Sequence, residues 1–313
     1  MRNSGIGGQA VLEGIMMKNR DKYAVAVRKP DKDIEVCVKE YKSLASRHKI
    51  FGLPFVRGIF SFADSLILGI STLMFSASFY DDEEQDENDQ KKTDKKSDNA
   101  FKEKEESAIM TLTVIVSVII SLALFIAAPS LISDLLKKQF DIKSHAINSI
   151  VESGLRLAIF LAYIIIISRM KDIQRTFMYH GAEHKCINCV EHGYELNVEN
   201  VLKSSRLHRR CGTSFLFLVM IISILFFIMI PVEQPLLKIV VRLLLIPVIA
   251  GVSYEVLRYA GSHDGIVVRI VSAPGLALQK LTTSEPDADM AEVAIKAVEA
   301  VFDWKEYLRN LKD

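Results

Sequence analysis

The chain has 313 residues, half of them hydrophobic, and its 39 Lys and Arg against 38 Asp and Glu leave a formal net charge of +1. A charge so balanced gives no overall basicity to attract nucleic acid, and four cysteines are too few for a disulfide framework at this length. The apolar residues are clumped rather than spread, which argues for membrane segments in a chain long enough for several domains or one large membrane protein.

In chain order, the opening MRNSGIGGQAVLEG lacks an apolar run of signal-peptide length, so the N-terminus is expected in the cytoplasm. Residues 5–19, GIGGQAVLEGIMMKN, are glycine-rich but match neither Walker A nor G-x-G-x-x-G spacing, and no nucleotide site is expected there. Glu13, among apolar neighbours, is either a partnered buried acid or a surface residue at a strand end. Tyr23, Val25 and Val27, then KPDKD, then Ile34, Val36 and Val38 alternate as a β-hairpin with one apolar face, within a cytoplasmic segment of residues 1–50.

Residues 51–79 are long and largely apolar, but Arg57 and Asp64 interrupt them, and a re-entrant or interfacial helix is predicted. Residues 80–107 enclose an acidic run, 81–106, with 12 acidic and 6 basic side chains. Such a run buries too little apolar surface to order itself and reads as a disordered linker. Four uncharged or nearly uncharged stretches follow, at residues 108–128, 157–168, 213–230 and 243–256. A span needs about 20 apolar residues, so these predict transmembrane helices 1–2 within residues 108–168 and 3–4 within 213–257, completed by flanks that snorkel.

Residues 169–212 carry eight Lys or Arg against three in residues 129–148, which puts the richer loop in the cytoplasm and leaves Lys238 and Arg242 at the outer face. Residues 258–313 form a cytoplasmic C-terminal segment, where Met290, Val293, Val298, Val301 and Phe302 follow helical spacing after SEPD. The fold class is therefore a mainly α membrane protein. It has about four transmembrane helices plus the re-entrant or interfacial helix, and a small α+β cytoplasmic module that includes the N-terminal hairpin.

The chemistry concentrates in YHGAEHKCINC, residues 179–189. His180, Glu183 and His184 spell H-x-x-E-H; on a helix both imidazoles share one face with the carboxylate alongside, so the histidines can hold a metal and the glutamate can take a proton from an activated water. Gly181 inside the motif costs about 1 kcal/mol relative to alanine in a helix. Cys186 and Cys189 fall roughly opposite the histidines on an unbroken helix and read as buried apolar thiols. The remaining ligands are sought at LHRRCGT, where His208 and Cys211 lie three apart. Four such ligands close a structural zinc site, and three leave one position open for catalysis.

Arg206, Arg209 and Arg210 read as positive-inside anchors, and His192 as an exposed loop residue. Glu191 is a further candidate. His263 and Asp264 in GSHDG are either a metal or orienting pair or a turn, and His48 and His145 have no sequence partners.

GGQAVLEGIMMKN, LPFVRGIFSF, YHGAEHK and LHRRCGTSF together resemble the YqhQ-like family of bacterial multi-pass membrane proteins, labelled predicted metal-dependent enzymes. The resemblance covers most of the chain apart from the acidic run. It implies a metal site at His180, Glu183 and His184 and a bacterial inner-membrane location, and it implies no substrate.

The sequence thus points to an integral membrane protein acting as a metal-dependent hydrolase on the cytoplasmic face. A divalent ion, zinc by donor type, is expected on His180 and His184 with His208 or Cys211 completing the shell, and Glu183 is the expected catalytic base. The alternative is a non-enzymatic scaffold or accessory factor stapled by structural zinc. Expected partners are the lipid bilayer and other membrane proteins, with no nucleic acid. Both termini are expected in the cytoplasm, and the substrate stays open between a peptide, an amide and a lipid head group.

Overall fold

The computed structural model describes residues 3–86, 99–141, 143–232, 234–263 and 265–312. The chain divides into two compact units: Met1–Asp82 with Ile164–Ile222 and Pro247–Asp313, and Glu83–Tyr163 with Ser223–Ile246.

The first unit opens with four strands, β1 (Ile6–Val11), β2 (Gly14–Asn19), β3 (Lys22–Arg28) and β4 (Ile34–Glu40), paired in order as an antiparallel meander. The hairpin expected at residues 23–40 is present as β3 and β4, with Val25 opposite Cys37. The glycine-rich stretch supplies the two further strands, with Ile6 opposite Asn19 and Val11 opposite Gly14. Two-residue turns join β1 to β2 and β2 to β3, and each contains a non-glycine residue at positive φ, Glu13 at 48° and Arg20 at 51°.

Side chains alternate across the sheet, so both faces bury apolar groups. Ile15, Met17 and Ala26 join the cluster formed with the helices described below, whereas Met16, Val25 and Val27 pack with Leu68, Phe75 and Phe79. Those last three belong to α2 (Val56–Asp86), which follows a single turn of helix, α1 (Leu44–Arg47).

The helix α2 is continuous through residues 56–79, the greater part of the segment expected as a re-entrant or interfacial helix. Both charges that seemed to break it are paired. Arg57 donates to the Glu255 carboxylate at 2.7 and 2.5 Å. Asp64 accepts from the Tyr41 hydroxyl at 2.7 Å, the Ser43 hydroxyl at 2.5 Å and the Leu44 amide at 3.0 Å. Its Val56–Tyr80 portion is long and apolar enough to cross a membrane, so among the described residues five helices qualify by length and composition where the sequence suggested about four. The others are Thr111–Gln139, His145–Ile167, Gly212–Met229 and Leu236–Ser262.

After α3 (Asn99–Leu122), a π-helical turn (Ala123–Ala127) and α4 (Ala128–Gln139), the chain continues through α5 (His145–Ile167), α6 (Lys171–Glu191) and α7 (Val198–Lys203). It then runs through α8 (Gly212–Met229), α9 (Pro235–Ser262), α10 (Ile266–Thr282), α11 (Ala288–Val301) and α12 (Trp304–Lys312). The acidic run is entered by helix as far as Asp86 and left by helix from Asn99, and its central residues 87–98 lie outside those described.

The amphipathic C-terminal helix is α11. Asp287 caps its first turn through a 2.8 Å bond from the Met290 amide, and Met290, Val293, Ala297 and Val298 are buried against the sheet and α6. As a result α6 is enclosed from Gly181 to Glu191, which is why a motif rich in polar residues lies inside rather than at the surface.

In the second unit, Lys238 and Arg242 are not exposed flanks. Each is under a tenth exposed and paired with the buried Glu152 of α5, because a charge removed from water needs a compensating partner.

Candidate metal centre

Helix α6 runs unbroken through both halves of YHGAEHKCINC, so His180 and His184 share a face with ring centroids 4.4 Å apart. Each ring is oriented through its Nδ1. That of His180 lies 2.9 Å from the Thr282 carbonyl, and that of His184 lies 2.6 Å from the Arg206 carbonyl. A carbonyl only accepts, so both Nδ1 atoms carry a proton, and the neutral ring then presents its Nε2 lone pair, the tautomer a metal requires.

Cys211 comes to the same point from the start of α8. Its Sγ lies 3.2 Å from His180 Nε2 and accepts from the Thr213 amide at 3.4 Å, so the sulfur sits on the N-terminal end of that helix. Ligand atoms of His180, His184 and Cys211 all fall within 4.8 Å of one another. Nitrogen and sulfur donors at that separation suit a zinc-type ion.

Glu183 completes the group. Its Oε2 is 3.9 Å from His180 Nε2 and 3.7 Å from His184 Nε2, and the residue is 5% exposed. Burial pushes its carboxyl up to about 7, partly offset by His180 and by the Gly8 amide. Gly8 is required here: a Cβ on it would stand 2.8 Å from Glu183 Cγ and 2.7 Å from the Met16 carbonyl. The sheet and α6 meet closely enough to bring a β1 amide to the carboxylate only because that side chain is missing.

Gly181 has a similar reason. A Cβ there would lie 2.0 Å from the Ser284 carbonyl oxygen, and the Ser284 amide donates to the Phe177 carbonyl at 2.9 Å. The helical cost of glycine is offset by letting the segment after α10 cross α6, and that segment continues directly from Thr282, the last residue of α10, whose carbonyl orients His180.

His208 is close but does not join the trio. Its ring centroid is 5.7 Å from that of His184, while its Nε2 faces Glu191 at 3.6 Å and Arg210 at 3.4 Å. Burial lowers the His208 pKa, with Glu191 opposing. Burial alone would raise the Glu191 carboxyl, but His208, Arg210 and Ser4 hold it down to about 2. Arg206 and Arg210 also act as clamps within the fold: Arg206 donates to the Thr283 carbonyl at 2.6 Å, and Arg210 pairs with Glu191.

The loop carrying His208 and Cys211 is held from two sides. Lys185 donates to the Leu202 and Ser204 carbonyls at 2.8 and 2.9 Å, and Asn188 donates to those of Ser205 and Leu207 at 2.6 and 3.0 Å. From α10, Gln279 accepts from the His208 amide at 2.9 Å and donates to its carbonyl at 2.7 Å. Gln279 and Gly8 were not legible as site residues, since each acts through a long-range contact. The only trace in the sequence is the GGQAVLEG stretch itself.

Cys186 and Cys189 are fully buried among Ala182, Met290 and Ala294, away from the trio. Burial raises both thiols, that of Cys189 to about 11. His192 bonds the Asn188 carbonyl at the end of α6, and His263 stacks on Tyr259 at 4.1 Å; Asp264 lies outside the described residues. Glu13, read two ways from sequence, pairs with Arg175 and accepts from the Tyr179 hydroxyl at 3.3 Å.

Together these features define a class: a mainly helical protein with helices long and apolar enough for a membrane, carrying a small sheet that packs against a helix with a candidate His₂Cys metal centre. The chain belongs to the family described as protein of unknown function (DUF1385), which it matches over residues 53–304. It is also 34% identical over 294 residues to the uncharacterized protein YqhQ of Bacillus subtilis (strain 168), covering 93% of this chain and 90% of the relative. No solved structure matches it.

Proposed function

We propose that the protein is a membrane-bound, metal-dependent hydrolase whose ion, zinc by donor set, is held by His180 Nε2, His184 Nε2 and Cys211 Sγ. The observation that carries this reading is the shared orientation of the two histidines. Both are pinned by Nδ1 to backbone carbonyls and turn Nε2 toward one sulfur and one buried carboxylate. When bound, such an ion supplies Lewis-acid activation of water or of a carbonyl. Glu183 is the base: its Oε2 accepts the proton, and the Gly8 amide fixes its direction. His208, tied to Glu191 and Arg210, packs behind His184 and holds its position rather than serving as a ligand.

A second reading, a structural zinc that staples an accessory factor for other membrane proteins, draws on the burial of Glu183. A carboxylate within 3.9 Å of both Nε2 atoms is near enough to become a fourth ligand and close the shell. Glu183→Gln separates the two. Retained metal with lost complementation of a deletion strain supports the enzyme; loss of metal together with a lower Tm supports the structural site.

The proposed setting is the bacterial inner membrane with both termini in the cytoplasm. The α2 helix favours an interfacial placement. The sheet covers its Leu68, Phe75 and Phe79 side, while Leu66, Ile67, Ile70 and Leu73 stay two-fifths or more exposed on the opposite side.

A further inference from the structure

Helix α10 is amphipathic in the reverse of the sense that water favours. Its inward side mixes Val268 and Leu278 with Gly275, Gln279 and Thr282, all buried. Its outward side is an apolar stripe. Ile266, Val267 and Ile270 are 76, 67 and 67% exposed, and the exposed Ala273, Pro274, Ala277 and Leu281 continue the stripe at helical spacing. The sequence of α10 holds two charges, Arg269 and Lys280, and no acid. Eleven residues separate the two, which puts both on one border of the stripe. A helix with its apolar residues outward and a buried glutamine inward faces something other than water.

The surroundings of α10 fix where that face lies. Gly261, in the last turn of α9, packs on Arg210, where a Cβ would stand 2.6 Å from the arginine Cγ. Gly275 of α10 packs on Ser214 in the first turn of α8, where a Cβ would stand 2.8 Å from the hydroxyl oxygen. Gln279 holds the amide and the carbonyl of His208. The end of α9 and the second half of α10 therefore meet one short stretch, residues 208–214. Both α8 and α9 are long and apolar enough to cross a membrane, so this stretch lies where two spans leave the apolar layer. Helix α10, about 25 Å long at 1.5 Å per residue, runs beside that mouth.

We propose that the outward stripe of α10 is seated in the boundary between headgroups and acyl chains of an anionic bilayer, and that this seat holds the metal centre in place. An apolar stripe bordered by basic residues and free of acid suits such a surface, and it continues the apolar surface of the spans beside it. The coupling rests on the metal centre proposed above. The Thr282 carbonyl orients His180, and Gln279 holds the loop that leads from His208 to Cys211, so two of its clamps ride on the seated helix. Ion retention then depends on the bilayer as well as on the ligands.

The test uses the full chain in nanodiscs of mixed phosphatidylglycerol and phosphatidylcholine. The label is bimane on Ile270→Cys in a Cys37→Ser background, the other three cysteines being buried. Lipids brominated on their acyl chains should quench it. The same label on Lys296→Cys, on the charged outer side of α11 with Glu292 and Glu299, should stay bright. No more quenching at 270 than at 296 overturns the seat. So does a label at 270 that is shielded from water yet untouched by brominated lipid, which would mean that a protein surface covers the stripe. Ile270→Asp should lower the ion retained per chain about tenfold, the lower end for groups behind a ligand, and Ile270→Leu should retain it. Ile266→Asp serves if the first variant fails to fold. Unchanged retention in both Asp variants overturns the coupling. A quenched label in a chain that holds no ion fails the metal centre, and the coupling with it, while it upholds the seat.

Discussion

Cys211 Sγ and His180 Nε2 lie 3.2 Å apart although 31 positions separate them, one at the mouth of α8 and the other on α6. The contact depends on the loop between them being clamped by Lys185, Asn188 and Gln279 rather than on local geometry. Purified protein should therefore carry one metal ion per chain, measured by elemental analysis against a chelated control. Cys211→Ser should weaken retention by at least about 10–100-fold, the range already seen when groups behind a ligand are lost. His208→Ala should lower Tm while leaving metal in place. Metal lost from His208→Ala but kept in Cys211→Ser would reverse the assignment of the third ligand.

Gly181→Ala should be among the most damaging single methyl additions in the chain. Its Cβ meets the Ser284 carbonyl at 2.0 Å, and neither backbone can yield without moving the Thr282 carbonyl from His180. A loss of about 3 kcal/mol is expected, the upper end for overpacking, together with loss of metal. Gly154→Ala in α5 is the control. Nothing lies within 4 Å of its Cβ, so stability should hold or rise by up to about 1 kcal/mol. Equal effects of the two on Tm would show that helix propensity, not the crossing, is being measured.

The thiols of Cys186 and Cys189 should resist alkylation. Burial favours the neutral form, and only the thiolate reacts, so Cys189 should stay unmodified at pH 8 and react only as pH rises toward about 11 or after unfolding. Cys37, partly exposed on β4, provides the reactive comparison in the same protein. Mass spectrometry after iodoacetamide treatment reads all three; rapid labelling of Cys189 in folded protein at pH 8 would mean that α6 and α11 do not enclose it.

What the sequence disclosed depended on whether a feature is local. The H-x-x-E-H face follows from helical spacing, and the hairpin at residues 23–40 from alternation, so both were legible. Cys211 was legible as a donor type near a span. His208 carried the same credentials, but its partner Glu191 is brought to it only by the fold. Lys238 and Arg242 looked like flanks because their counter-ions sit on other helices, and β1 and β2 were obscured by glycines whose purpose, at Gly8, is close approach to Glu183. Arg57 and Asp64 seemed to interrupt the apolar run of residues 51–79 for the same reason: each is neutralised by a residue that no local pattern reveals.

That last pair leads to the topology. Among the described residues five helices are long and apolar enough to cross, and five crossings would place the two ends of the chain on opposite faces. The packing of α2 argues otherwise. Asp64, Leu68, Thr72 and Ser76 form a buried stripe at helical spacing. The sheet approaches the same side, where Gln9 donates to the Ser65 carbonyl at 3.2 Å and the Leu12 amide donates to the Ser76 hydroxyl at 3.1 Å. A helix that spends four turns against a sheet bearing Lys18 and Lys39 has only one side left for lipid, and that side carries Leu66, Ile67, Ile70, Leu73 and Met74. It should therefore lie along the interface, leaving four crossings and both termini on one face. Epitope tags at the two ends, probed in right-side-out and inverted vesicles, should become accessible together. Leu66→Lys should weaken membrane retention of a fragment ending before α3. Tags exposed on opposite faces would make α2 a fifth span and would require the sheet to be packed elsewhere.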